Sequence, residues 1–90
     1  MATVYFKIFG HVQGVGYRYF ALRAADRLGV TGWVKNMGDG TVEVLGCGSH
    51  ATLLSFKKEL IRGPSFSQVT EIKRLEHEDE DTFDQFTVRY

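Results

Sequence analysis

Three glycines and an arginine lie close together near the start of the chain, in the stretch Gly10-His11-Val12-Gln13-Gly14-Val15-Gly16-Tyr17-Arg18. Glycine adopts backbone conformations that are closed to other residues, so successive N–H groups of such a loop can point at one bound anion. Arg18 falls in the first turn of a predicted helix, where a cation is unfavourable unless an anion lies between it and the helix terminus. The stretch predicts a local anion site, although a plain tight connection would also use these glycines.

The stretch matches neither of two common phosphate-binding motifs. The mononucleotide motif requires Gly-Lys-Ser/Thr at its end, but here Gly16 is followed by Tyr17. The stretch therefore contains neither the lysine nor the hydroxyl ligand for magnesium that the motif needs. The dinucleotide motif requires a third glycine where Tyr19 stands. These mismatches exclude a nucleoside triphosphatase and a dinucleotide-binding enzyme.

Asn36 is the second residue that could do chemistry, because it ends a predicted strand just before the turn Met37-Gly38-Asp39-Gly40. A carboxamide donates and accepts hydrogen bonds at once, so it could hold a water molecule in line with an electrophile. Asparagine is also a common residue in ordinary turns, so Asn36 could equally have no role in chemistry. Sequence spacing alone does not bring Asn36 to Arg18.

The other reactive residue types indicate no metal site and no second nucleophile. The three histidines lie on different elements without ligand spacing, and Cys47 has no neighbouring base and is interpreted as a small strand residue. The acidic run at residues 76–81 lacks the interior glycine of a calcium loop, so we expect a solvated loop there.

Composition predicts one globular domain spanning residues 1–90. Eleven Lys and Arg balance eleven Asp and Glu, which removes the basic surface expected of a nucleic-acid or anionic-membrane binder. One cysteine excludes an internal disulfide, and the chain shows neither a signal peptide nor an 18-residue apolar run. We therefore expect a cytoplasmic protein without membrane or nucleic-acid partners, and its small size favours a monomer.

The hydrophobic pattern predicts the elements that would position these residues. Strands are expected at residues 4–9, 31–36, 41–45 and 68–75, followed by a last short strand in which Phe86, Val88 and Tyr90 alternate. Helices are expected from Tyr17 to Leu28 and, after the N-cap Ser49, to about residue 62. Asp39-Gly40 predicts a hairpin turn between the second and third strands, and residues 46–48 are expected to end the third strand. The register of the fourth strand stays open, because Val69 and Ile72 do not share a period of two.

The order of these elements is βαββαβ with a short fifth strand, which is typical of a ferredoxin-like α+β sandwich. Two helices would cover one face of a mostly antiparallel sheet whose first strand is central. The carboxyl end of that strand would lead through the glycines into the first helix, whose N-terminus would point at the loop.

Beyond these patterns, the residues themselves resemble the acylphosphatase family over nearly the whole chain. The resemblance rests on Val-Gln-Gly-Val-x-x-Arg at residues 12–18, Gly-Trp-Val-x-Asn at residues 32–36, Asp-Gly-Thr-Val-Glu at residues 39–43 and Gly63-Pro64. Departures are mild: Tyr17 replaces a frequent phenylalanine, Ala21 a common threonine, and Met37 a threonine that often follows the asparagine.

The resemblance implies hydrolysis of the carboxyl–phosphate bond of an acyl phosphate, without a cofactor or metal. Arg18 and Asn36 hold the positions of the catalytic pair. Phosphate would be bound by the backbone amides of what we call the glycine loop, residues His11, Val12, Gln13, Gly14, Val15 and Gly16. The alternative is an acylphosphatase-like module that binds carbamoyl phosphate, as in the larger hydrogenase-maturation proteins, although a chain ending at Tyr90 favours a stand-alone enzyme.

Overall fold

Seven elements build the fold in this computed structural model, which describes residues 1–77 and 82–90. In chain order they are β1 (Ala2–His11), α1 (Tyr17–Leu28), β2 (Thr31–Asn36), β3 (Val42–Gly48), α2 (His50–Arg62), β4 (Gln68–Arg74) and β5 (Phe86–Arg89). The α+β order expected from the sequence is confirmed. Part of the expected acidic loop, residues 78–81, lies outside the described residues.

The sheet has the strand order β4-β1-β3-β2-β5. β1 pairs antiparallel with β3 and β4, β2 pairs antiparallel with β3, and β5 pairs parallel with β2. The sheet is therefore mostly antiparallel, as predicted. β1 is an interior strand between β4 and β3, while β3 occupies the middle position.

The core lies between one face of the sheet and the two helices. Val4, Phe6 and Ile8 alternate along β1 and are buried on the same face. Each helix buries one stripe against them, as the helical period of the sequence predicted. These stripes are Tyr17, Ala21, Ala24 and Ala25 in α1 and Leu53, Phe56 and Leu60 in α2.

Local sequence signals set the helix ends. Gly29 follows α1 in the left-handed conformation, with φ 76°, and its N–H donates to the carbonyl of Ala25. The Ser49 hydroxyl caps α2 by accepting a hydrogen bond from the Thr52 N–H at 3.1 Å. Both helices therefore begin and end where the sequence predicts.

β3 is longer than predicted, because it includes Gly46, Cys47 and Gly48 instead of ending before them. These residues pair with the first residues of β1, where Ala2 lies opposite Gly48. A Cβ atom at Gly46 would lie only 3.1 Å from Val30 Cγ1 and 3.3 Å from Phe56 Cε2. A larger residue would therefore need Val30 or Phe56 to shift slightly, and Gly46 continues the strand instead of terminating it.

An irregularity between β1 and β4 accounts for the register that the sequence left open. Ile8 pairs with Ile72, but after a shift at Phe9/Gly10 the partner of Gly10 is Val69. The extra residue in β4 lets Val69 and Ile72 both pack against the core. Gly10 has φ 124°, and a Cβ there would lie 2.0 Å from the Gln68 carbonyl oxygen, so the close approach requires glycine.

Candidate active site

The site forms where the carboxyl ends of three strands meet. β1 and β2 both run antiparallel to β3, and Val42 of β3 pairs with Ile8 on one side and with Asn36 on the other. β5 runs parallel to β2, so its end lies at the same edge of the sheet. The glycine loop, Asn36 and the residues that follow β5 are therefore brought to one place.

A cavity of about 210 Å³ opens at this edge. Its walls come from the glycine loop, the first turn of α1, the end of β2 and the end of β5. The lining residues are Val12, Gly14, Gly16, Tyr17, Arg18, Tyr19, Asn36, Val88 and Tyr90. Arg18 and Asn36, which the sequence could not connect by spacing, thus line the same cavity.

The backbone of the glycine loop has the form needed to present N–H groups to an anion. Gly14 and Gly16 are left-handed, with φ 75° and 77°, and a Cβ at either position would meet nothing within 4 Å. The glycines are thus needed for backbone conformation and not for space. Gly16 is the N-cap of α1 and has no side chain, so no side-chain oxygen occupies the first N–H groups of the helix. The positive end of the helix dipole faces the cavity.

Arg18 lies at this positive end, and α1 has no acidic residue in its first turn. Its Nη1 donates to the Arg89 carbonyl at 3.4 Å, and its Cζ lies 4.7 Å from the centre of the Tyr90 ring. No carboxylate of the described residues lies within 4 Å of its guanidinium. The group is held in place by neutral partners and keeps its charge available to an anion.

Asn36 contributes a buried acceptor. Its Oδ1 is shielded from solvent, and no donor in residues 1–77 or 82–90 forms a hydrogen bond with it. A buried polar atom without a partner costs about 1–3 kcal/mol, so such atoms are uncommon in native proteins. Asn36 also lines the cavity, so its carboxamide lies beside any molecule bound there.

The glycine loop divides into residues that line the cavity and residues that do not. Val12, Gly14 and Gly16 line it. His11 is the exposed last residue of β1, opposite Gln68, and Val15 packs partly buried against the core. The Gln13 side chain turns away to the β2–β3 turn, where it forms two hydrogen bonds.

Val88 and Tyr90 are site residues that the sequence reasoning missed. From the sequence, Val88 and Tyr90 were predicted only as alternating residues of the last strand. Their place follows from the parallel pairing of β5 with β2, in which Val88 lies opposite Val34 and Arg89 opposite Lys35. Pairing of strands about fifty residues apart leaves no local signal in the sequence.

Tyr17 forms a neutral wall of the cavity. Its side chain is 1% exposed, and its hydroxyl donates to the Leu60 carbonyl at 2.5 Å, near the C-terminus of α2. Burial raises the pKa of Tyr17 well above its usual value of 10.0, so the phenol stays protonated at physiological pH. The hydroxyl that distinguishes it from phenylalanine is used in packing the two helices together.

The described part of the chain offers few other features that could bind or react. Residues 1–77 and 82–90 contain no group of three or more His, Cys, Asp or Glu side chains that could hold a metal ion. Cys47 is a buried free thiol within β3, as expected of a small strand residue. Neither described helix combines the length and hydropathy needed to cross a bilayer.

Comparison with known proteins gives one consistent result. A family model described as Acylphosphatase matches residues 4–88. A Bacillus licheniformis acylphosphatase is 44% identical over 81 residues, which are 90% of this chain and 90% of that protein. The crystal structure of acylphosphatase from Bacillus subtilis superposes with a TM-score of 0.94 at 39% identity, covering 100% of both chains.

A second kind of relative is much longer. In the crystal structure of full-length HypF in the phosphate- and nucleotide-bound form, a segment matches 99% of this chain but only 12% of that protein. The TM-score is 0.78 and the identity 30%. The matches that cover at least 90% of both proteins, together with the family model, show that the chain belongs to the acylphosphatase family.

Proposed function

We propose that the protein hydrolyses the carboxyl–phosphate bond of acyl phosphates, giving a carboxylate and inorganic phosphate. The observation that carries the proposal is the shared cavity, in which Arg18, Asn36 and the open N-terminus of α1 meet. The activity named for the relatives of similar length supports the same reaction.

In this proposal Arg18 and the glycine loop bind the phosphoryl group. A guanidinium can hold two phosphoryl oxygens through two parallel N–H donors, and the loop amides would take the third. Both kinds of donor are fixed before the substrate arrives, and the charge of the transferring phosphoryl group develops beside them. Stabilisation of this charge requires no metal ion in the proposed scheme.

Asn36 would position the attacking water. The water oxygen attacks phosphorus, the bond from phosphorus to the acyl oxygen breaks, and the carboxylate leaves with the bonding electron pair. A carboxylate is a good leaving group and demands no general acid, while a phosphoryl oxygen can take the proton of the water. The position of Asn36 in the cavity wall supports this role, since a carboxamide there can hold a water molecule by hydrogen bonding.

We infer a monomeric cytoplasmic enzyme that acts on small molecules and not on nucleic acid. Support comes from the equal numbers of basic and acidic residues and from the unpaired, buried Cys47.

The alternative function is a module that binds carbamoyl phosphate without strong turnover of its own, which the match to one segment of HypF favours. An assay with benzoyl phosphate and carbamoyl phosphate side by side distinguishes the two functions. We expect multiple turnovers of benzoyl phosphate, unaffected by EDTA. Binding of carbamoyl phosphate with no turnover of either compound would support the alternative, and loss of activity in EDTA would contradict the metal-free scheme.

A further inference from the structure

One side chain of the glycine loop joins it to the turn that follows Asn36. The Gln13 Nε2 donates to the Met37 carbonyl at 2.8 Å and to the Thr41 carbonyl at 2.9 Å. In the described part of the chain, no other hydrogen bond joins residues 12–16 to residues 37–41. Both protons of the Gln13 amide are used in this contact.

The two carbonyls that Gln13 binds are the two that close the turn. The Thr41 carbonyl accepts from the Met37 N–H at 2.8 Å, and the Met37 carbonyl accepts from the Gly40 N–H at 3.2 Å. Each carbonyl oxygen has a second lone pair, and Gln13 occupies both. The side chain therefore holds the turn at its two ends, without replacing any bond within it.

The position of this contact gives it a consequence for the site. Met37 directly follows Asn36, and Gln13 lies between Val12 and Gly14, which line the cavity. The glycine loop and Asn36, the residue proposed to hold the water, come from different parts of the chain. A misplacement of about 1 Å between reacting groups can lower a rate about 100-fold.

We infer that Gln13 is a positioning residue that fixes Asn36 relative to the glycine loop. The inference rests on the proposed function, because the placement of Asn36 affects a rate only if hydrolysis occurs in this cavity. Gln13 acts on turnover through Asn36 and not through binding of the phosphoryl group, which Arg18 and the loop amides hold.

The test compares Gln13→Met, which keeps the size of the side chain but removes both donors, with Gln68→Met as a matched control on the exposed surface of β4. We expect kcat for benzoyl phosphate to fall about 10- to 100-fold in Gln13→Met, with the Kd for inorganic phosphate unchanged within about two-fold. The control keeps both values. Gln13→Leu, which also removes both donors without adding a charge, gives the same split if Gln13→Met folds poorly.

A double-mutant cycle separates positioning from a general structural role. If Gln13 acts through Asn36, adding Gln13→Met to Asn36→Ala lowers kcat no further than about two-fold. Independent, multiplying losses would overturn the inference, as would parallel loss of phosphate binding or a normal kcat in the single variants. A wild-type protein without turnover would instead contradict the proposed function itself.

Discussion

Arg18 is the residue whose placement is least favourable locally and most informative about function. A cation in the first turn of a helix opposes the helix dipole, and no neighbouring carboxylate of the described chain offsets it. The Arg89 carbonyl and the Tyr90 ring hold the guanidinium at the cavity instead. A bound phosphate would remove the unfavourable interaction and explain the placement.

The first prediction concerns the geometry of that guanidinium. Arg18→Ala and Arg18→Lys should both lose binding of inorganic phosphate, because a lysine keeps the charge but not the planar pair of donors. The measurement is the phosphate-induced rise in melting temperature, which follows from binding to the folded state alone. Arg23→Lys, on the exposed face of α1, is the control and should keep the rise. A full rise in Arg18→Lys would show that charge alone suffices.

At the scale of the elements, the β2–β3 turn depends on an ionised side chain. Asp39 Oδ1 accepts hydrogen bonds from the Thr41 hydroxyl at 2.5 Å and the Thr41 N–H at 3.1 Å, and Lys7 Nζ lies 2.9 Å from Oδ2. These hydrogen bonds from Thr41, followed by the one from Lys7, hold the pKa of Asp39 well below its ordinary value of 3.8. The carboxylate thus joins the turn to β1.

The second prediction follows from this lowered pKa. A lowered pKa in the folded state stabilises the protein above the unfolded-state pKa, and this contribution is lost as pH falls through the folded-state pKa. Asp39→Asn should therefore melt below wild type at pH 7, and the difference should narrow as pH falls below about 4. Melting temperatures between pH 7 and pH 2 test this. Asp26→Asn on α1 is the control for loss of one charge, and a difference independent of pH would contradict the explanation.

The elements also show how far sequence reasoning reaches. Periodicity and caps predicted both helices and β2 to the residue, because these signals are local. The predicted length of β3 was wrong, because residues 46–48 continue the strand by pairing with the first residues of β1, which lie far away in sequence. The register of β4 could not be predicted, because the shift opposite Gly10 depends on both strands of the pair.

At the scale of the whole molecule, the topology of the sheet brings the site residues together. β1, β2 and β5 run in one direction, so the glycine loop, Asn36 and Tyr90 reach the same edge of the sheet although they are far apart in sequence. The sequence identified Arg18 and Asn36 as separate candidates, and only the family resemblance paired them. Their meeting depends on long-range strand pairing, and so does the contact of Tyr90 with Arg18, which no local pattern predicted.

In the proposed mechanism, Arg18 and the glycine loop bind the phosphoryl group, and Asn36 binds the attacking water. The most direct test is Asn36→Ala, with kcat for benzoyl phosphate and the phosphate-induced rise in melting temperature measured on the same preparation. We predict a kcat lower by roughly 10²–10³, the size of one lost polar contact in a transition state, with the rise in melting temperature retained. Near-normal turnover in Asn36→Ala would contradict the account.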